Sequence, residues 1–376
     1  MALSHPVALS IFASYFFSII ALFVLILRSF PRRIPPNVSS FRVYTFAVLT
    51  VASFLHTWYY MLAFLQWSFA DFERSAYSGQ TDAALRAIPI ATRIAQWLSH
   101  TALFEQAWTA VARTPLNWWW SEQICLFTAG TWTILLATYG RTHRIKHLWA
   151  YMLLGQLVAI SVASCLFYLA LLLFPRPKLS PSPSTPKSPS KRPTAATIPT
   201  RRLPLPPTTY LPVLLSTLLT MLLPPALTHG LFLPILLAIH ILLVLPLLPL
   251  PQHPHPRLAL RTRTLHALLL LLALLARILT SRAVLHTSAL SLAHTSAPPL
   301  AHTSAPPLAH TSALARVPGE LWATLHAHPA QASIGWDVVW TTLAFAVWAR
   351  AWAAPALAAL VSVGVVGPAV GVGMGA

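Results

Sequence analysis

Only seven acids serve this chain of 376 residues, and two of them sit in or at the mouth of long apolar runs. Glu122 lies four residues after Trp118 and three after Trp119, so the three side chains share one helical face. Asp337 directly follows Gly335-Trp336, with Trp340 and Thr341 one turn later. An ionisable group held in lipid costs several kcal/mol unless something partners it, so such a residue marks a site that handles charge or a proton. A structural account competes for both acids. Tryptophans at the ends of spans form interfacial belts, and an acid in the first turn of a helix complements its dipole. Among weaker signals, Gln156 has an amide with four hydrogen-bonding positions to satisfy, and with His56, His147 and Tyr151 it is a candidate for lining a polar cavity. Ser161, Ser164, Cys165 and Tyr168 recur at helical spacing, which marks helix packing more often than a site.

The elements that must position these groups are membrane spans. Charged residues make up 9% of the chain and hydrophobic ones 56%, too little polar surface to cover a core in water. Uncharged or nearly uncharged runs cover 7–27, 43–65, 118–139 and 148–174, each long enough as a helix to cross a hydrocarbon core of roughly 30 Å. Arg28, Arg32, Arg33 and Arg42 give a basic loop that the positive-inside rule places in the cytosol, with the N-terminus on the other side. The segment 141–147 reads as a short basic turn between two spanning helices. The net charge of +18 is spread over such loops rather than along one face, so nucleic acid is not the implied partner; the bilayer is. Cys125 and Cys165 both fall inside spans, so no disulfide framework is implied.

The expected organisation is an all-α integral membrane protein with about eight transmembrane helices in one bundle and a disordered central linker. A four-span unit covers 1–174, with an interfacial helix near 84–112. A linker rich in Pro, Ser and Lys covers 175–209 and three proline-interrupted spans cover 210–280. A low-complexity His/Pro octapeptide repeat and loop cover 281–335, and the last span and an apolar tail cover 336–376. The linker carries seven basic residues and no acid, yet strict alternation of eight spans puts it on the side opposite the cytosolic loops. His286, His294, His302 and His310 recur eight residues apart, but no carboxylate or cysteine accompanies them, so the repeat reads as low-complexity expansion rather than a metal site.

The runs Leu103-Phe-Glu105-Gln-Ala-Trp108, Trp118-Trp-Trp-Ser-Glu-Gln123 and His147 to Ser161, with His328 to Trp340 near the end, resemble the fungal multi-span membrane proteins grouped with the terpene cyclase of ascofuranone biosynthesis. The resemblance covers roughly residues 1–174, part of 207–250, and 326–350. It implies a metal-independent, cofactor-free cyclase of secondary metabolism, acting on an epoxidised farnesyl chain attached to an aromatic head. In that chemistry a carboxylic acid kept neutral by desolvation protonates the epoxide, and aromatic faces stabilise the carbocation by about 2 kcal/mol or more. Asp337 is the expected acid, with Glu122 and Glu105 in reserve. Trp118, Trp119, Tyr151, Gln156, Trp336 and Trp340 are the expected substrate contacts. Multi-span chains of this kind enter through the endoplasmic reticulum. The competing reading is a non-enzymatic transport or assembly subunit, or an inactive diverged relative.

Overall fold

A computed structural model describes residues 5–174, 205–249, 259–296 and 307–350. Among the described residues the chain is all-helical, and four helices are long and apolar enough to cross a membrane. These are α1 (His5–Ser29), α2 (Ser40–Ala76), much of α13 (Thr262–Ser296) and most of α15 (Pro329–Arg350). Phe17 on α1 and Phe41 on α2 are 77% and 78% exposed, an open apolar surface compatible with contact to a bilayer. The segment expected as one interfacial helix is three: α3 (Asp82–Ala87), α4 (Ile90–His100) and α5 (Leu103–Ala112). Pro89 ends the first, because proline cannot continue its hydrogen bonding, and a turn at Thr101–Ala102 separates the others.

Thr114 caps α6 (Pro115–Phe127), its hydroxyl accepting from the Asn117 N–H. The rod then runs on to Gly140 through two π turns, Thr128–Trp132 and Leu136–Gly140, on either side of α7 (Thr133–Leu135). The Thr133 hydroxyl donates to the Thr128 carbonyl at 2.7 Å, satisfying a group that the wider turn would leave short of a partner. Ile134, Gly130 and Leu126 meet Leu265, Leu269 and Ala273 in antiparallel register, with the small residues letting α6 and α13 approach.

The run 148–174, expected as one spanning helix, is instead a helical hairpin of α8 (Leu148–Leu157) and α9 (Ile160–Leu173). Tyr151 and Phe167 stack edge to face with centroids 5.6 Å apart, whereas a continuous helix would separate them by about 24 Å. A Cβ on Gly155 would lie 3.4 Å from that of Ala163 and 2.7 Å from the Ile160 side chain, so only glycine lets the two arms close so tightly. His143 donates from Nδ1 to the Phe174 carbonyl at 2.5 Å, so both ends of the hairpin lie together beside the 141–147 turn. At its tip the Tyr15 hydroxyl donates to the Leu157 carbonyl at 2.6 Å, supplying a partner inside the apolar interior.

Residues 175–204 of the expected linker lie outside the described residues, and Pro207 to Thr209 open α10 instead. α10 (Pro207–Met221) and α11 (Leu223–Ala226) run one way, and α12 (Phe232–Val244), extended by a 3-10 turn at Leu245–Leu247, returns. Leu205 pairs with Leu260, and Arg141 donates to the Pro246 carbonyl at 2.7 Å, so these ends also gather beside the 141–147 turn. The repeat region is not a loop where it is described. α13 runs on to Ser296 and α14 (Pro307–Ala327) packs back against it, with Ser288 hydrogen-bonded to Glu320. His302 lies outside the described residues. α15 begins at Pro329, seven residues before the expected start, so Asp337 is about 12 Å inside its helix rather than at the first turn.

Candidate functional site

The hairpin tip, α2, α5, α6, α12 and α15 line a cavity of about 190 Å³. Its wall is largely apolar, with Met61, Phe64, Trp108, Ile124, Ile239 and Ile334 prominent. Asp337, His240 and Gln156 supply its ionisable and amide groups.

Asp337 is 7% exposed and does something the sequence did not announce: it caps a helix other than its own. Its Oδ1 accepts the Ser161 N–H at 2.7 Å and its Oδ2 accepts the Ile160 N–H at 3.0 Å, the first free donors of α9. The hydroxyls of Ser161 and Thr341 face the same carboxylate. Two backbone donors at the positive end of a helix hold a carboxylate well, so the turn of the hairpin is fixed by a side chain from α15.

His240, on α12, also lines the cavity, and its Nδ1 lies 2.7 Å from the Leu236 carbonyl. A carbonyl only accepts, so Nδ1 carries a proton in this bond. The edges of Phe104 and Trp108 flank the ring at centroid distances of 5.5 and 5.9 Å, and the Gln156 amide donates to the His240 carbonyl at 3.2 Å. His240 was not singled out from the sequence, though it is the sole polar residue between Phe232 and Val244 and lipid makes such a residue conspicuous.

The other expected site residues separate from this chamber. Trp340 donates from Nε1 to His56 Nδ1 at 2.9 Å, and Trp336 packs on the same imidazole at 4.6 Å, so the two tryptophans bind α15 to α2. His56 is thereby a neutral acceptor at Nδ1. Tyr151 is buried inside the hairpin, and His147 is exposed at the start of α8. Glu122 lines a different cavity, of about 280 Å³, together with Trp118. It accepts from Thr280 at 2.8 Å and pairs with Arg277 at 3.4 Å, and that guanidinium also donates to the Trp119 carbonyl at 2.8 Å and lies 4.0 Å over the Trp119 ring. Arg277 was overlooked although it interrupts a leucine-rich run. Glu105 opens onto a third cavity, of about 740 Å³, at the end of α2. Among the described residues no group of three or more His, Cys, Asp or Glu side chains is placed to hold a metal ion. No family model, curated protein or solved structure matches this chain.

Proposed function

We propose that the chain is a multi-pass membrane enzyme of the terpene-cyclase type, and that the Asp337 chamber receives the isoprenoid part of a prenylated aromatic substrate. The observation that carries this reading is a mostly apolar cavity with one carboxyl and one imidazole in its wall, an apolar lining that suits a carbocation cascade better than a polar conducting path. Asp337, once protonated, is the donor to the epoxide oxygen. His240, in the tautomer that keeps its proton on Nδ1, takes at Nε2 the proton that the cyclised cation sheds.

The topology proposed with this reading is seven spans and one re-entrant hairpin rather than eight spans. The ends that gather beside 141–147 all carry basic loops, which the positive-inside rule assigns to the cytosol of an endoplasmic-reticulum protein.

A second reading has its own support, because the two backbone N–H groups on Asp337 stabilise the anion and suit a purely structural cap in a non-enzymatic protein. Expression in a host fed an epoxyfarnesyl phenol separates the two. The cyclase reading expects a cyclised product from the native chain, none from Asp337→Asn, and an altered product set from His240→Phe. Absence of product from well-inserted native protein overturns it.

A further inference from the structure

The Asp337 chamber is too small for a whole prenylated aromatic molecule. A cavity of roughly 150 Å³ holds a benzene-sized guest, and drug-sized ligands occupy roughly 300 Å³ or more. At about 190 Å³ the chamber accommodates one end of an amphipath only. The remainder needs adjoining space, and the structure has it.

The cavity of about 740 Å³ lies directly along the seam between α2 and the start of α15. Phe64 and Ala330 line the chamber, while Trp67 and His328, one turn or less away, line the larger space. Opposite faces of α5 divide the two, with Ala107, Trp108 and Val111 toward the chamber and Gln106, Thr109 and Ala110 toward its neighbour. Between them stands a partition of three rings: Trp67 against His328 at 4.3 Å, Phe64 against His328 at 6.1 Å and Phe64 against Trp67 at 6.2 Å. From His328 to Asp337 is about 13 Å along the helix, the length of a short isoprenoid segment.

The lining of the larger cavity says what it takes. Glu105 and Arg113 border it with His100 and Asp71, so acceptors and donors of both signs face one space. Asp71 is paired with Arg74 at 3.2 Å, which leaves the Glu105 carboxylate to oppose a diphosphate or any other polyanionic head, whereas a hydroxyl donates to a carboxylate and accepts from a guanidinium. We infer that this cavity binds the neutral, hydroxyl-bearing head of an amphipath whose apolar end passes the Phe64–Trp67–His328 partition into the Asp337 chamber. The inference rests on the reading of that chamber as a ligand site, but not on turnover.

The test is photolabelling of the full chain in vesicles with two farnesyl hydroquinones, one carrying a diazirine on the ring and one at the distal end of the chain. Labelled peptides are mapped by mass spectrometry. The ring probe is expected on residues 67–75 and 100–113 and the chain probe on 330–337 and 236–243, both displaced by excess unlabelled farnesyl hydroquinone and neither by farnesyl diphosphate. Glu105→Gln with Arg113→Gln should lower ring labelling about tenfold, and Thr109→Trp, which fills the cavity, should abolish it while the chain of fluorescence-monitored, monodisperse protein stays folded. Chain labelling in the chamber with ring labelling elsewhere overturns this inference alone. Saturable labelling at neither place overturns the chamber as a ligand site as well.

Discussion

Arg277 is held by three partners at once: the Glu122 carboxylate, the Trp119 carbonyl and the face of the Trp119 ring. Removing one member of a buried ion pair strands the other, at a cost of about 3–5 kcal/mol, whereas replacing both with apolar side chains is close to neutral. Arg277→Met should therefore lower the thermal midpoint in detergent sharply, and Glu122→Leu combined with Arg277→Met should restore most of it. A double variant no better than the single one would show that the pair does more than join α6 to α13. His328 carries a pH signature. Burial first, then the charge of Arg113, holds its imidazole below the ordinary range, with Asp71 acting in the opposite sense. Above pH of about 6.5 the folded and unfolded chains are both neutral there; as pH falls below it the unfolded chain takes up the proton first, so stability is lost. Unfolding midpoints measured from pH 7.5 to 5.5 should fall for the native chain and fall less for His328→Gln. Asp337, read from its aromatic neighbours and its isolation among apolar residues, was legible as a buried group. Its partners were not, because a cap supplied by another helix leaves no mark in the local pattern.

Helices show the same division between what periodicity carries and what tertiary packing decides. α1 was legible within two residues at each end and α2 within three at its start, but α2 runs eleven residues past the expected end at 65, because its last turns carry Asp71, Glu73 and Arg74 and leave the apolar pattern. The hairpin was not legible. Residues 148–174 are uncharged throughout, and the turn at Val158–Ala159 contains neither proline nor glycine, so length alone argued for a single span. What bends it is Asp337, which receives the N–H groups of Ile160 and Ser161, and Gly155, which lets α8 and α9 close. Asp337→Asn leaves an amide N–H facing a backbone N–H, which should cost about 1–3 kcal/mol, and Asp337→Ala should cost at least as much. Hydrogen exchange at the start of α9 should rise in both while exchange in α13 stays unchanged. Gly155→Leu should separate the arms and destabilise the hairpin more than Gly155→Ala.

For the molecule as a whole, the re-entrant hairpin proposed above removes the conflict between the charge of the 175–204 segment and strict alternation of spans. The described residues that flank the segment, Phe174 and Leu205, lie with the 141–147 turn, and the proposed topology therefore assigns its seven basic residues to the side where basic loops belong. Single cysteines at Thr142 and Ser188 should react with an impermeant maleimide from one side of sealed vesicles, and one at Gln80 from the other. Reaction of Ser188→Cys together with Gln80→Cys would return the eight-span topology. There is also a consequence for biosynthesis. The groups that stop the α9 N-terminus from demanding water come from a residue 177 positions later in the chain. Until α15 has left the ribosome, the nascent 148–174 segment has no cap and is apolar enough to be threaded straight through the membrane. A chain ended near residue 300 should then carry its linker on the luminal side, and an Asn-X-Thr acceptor engineered there should be glycosylated, while the same acceptor in the full chain should remain bare. A helix made long after the segment it caps would thus decide which way the middle of the protein faces.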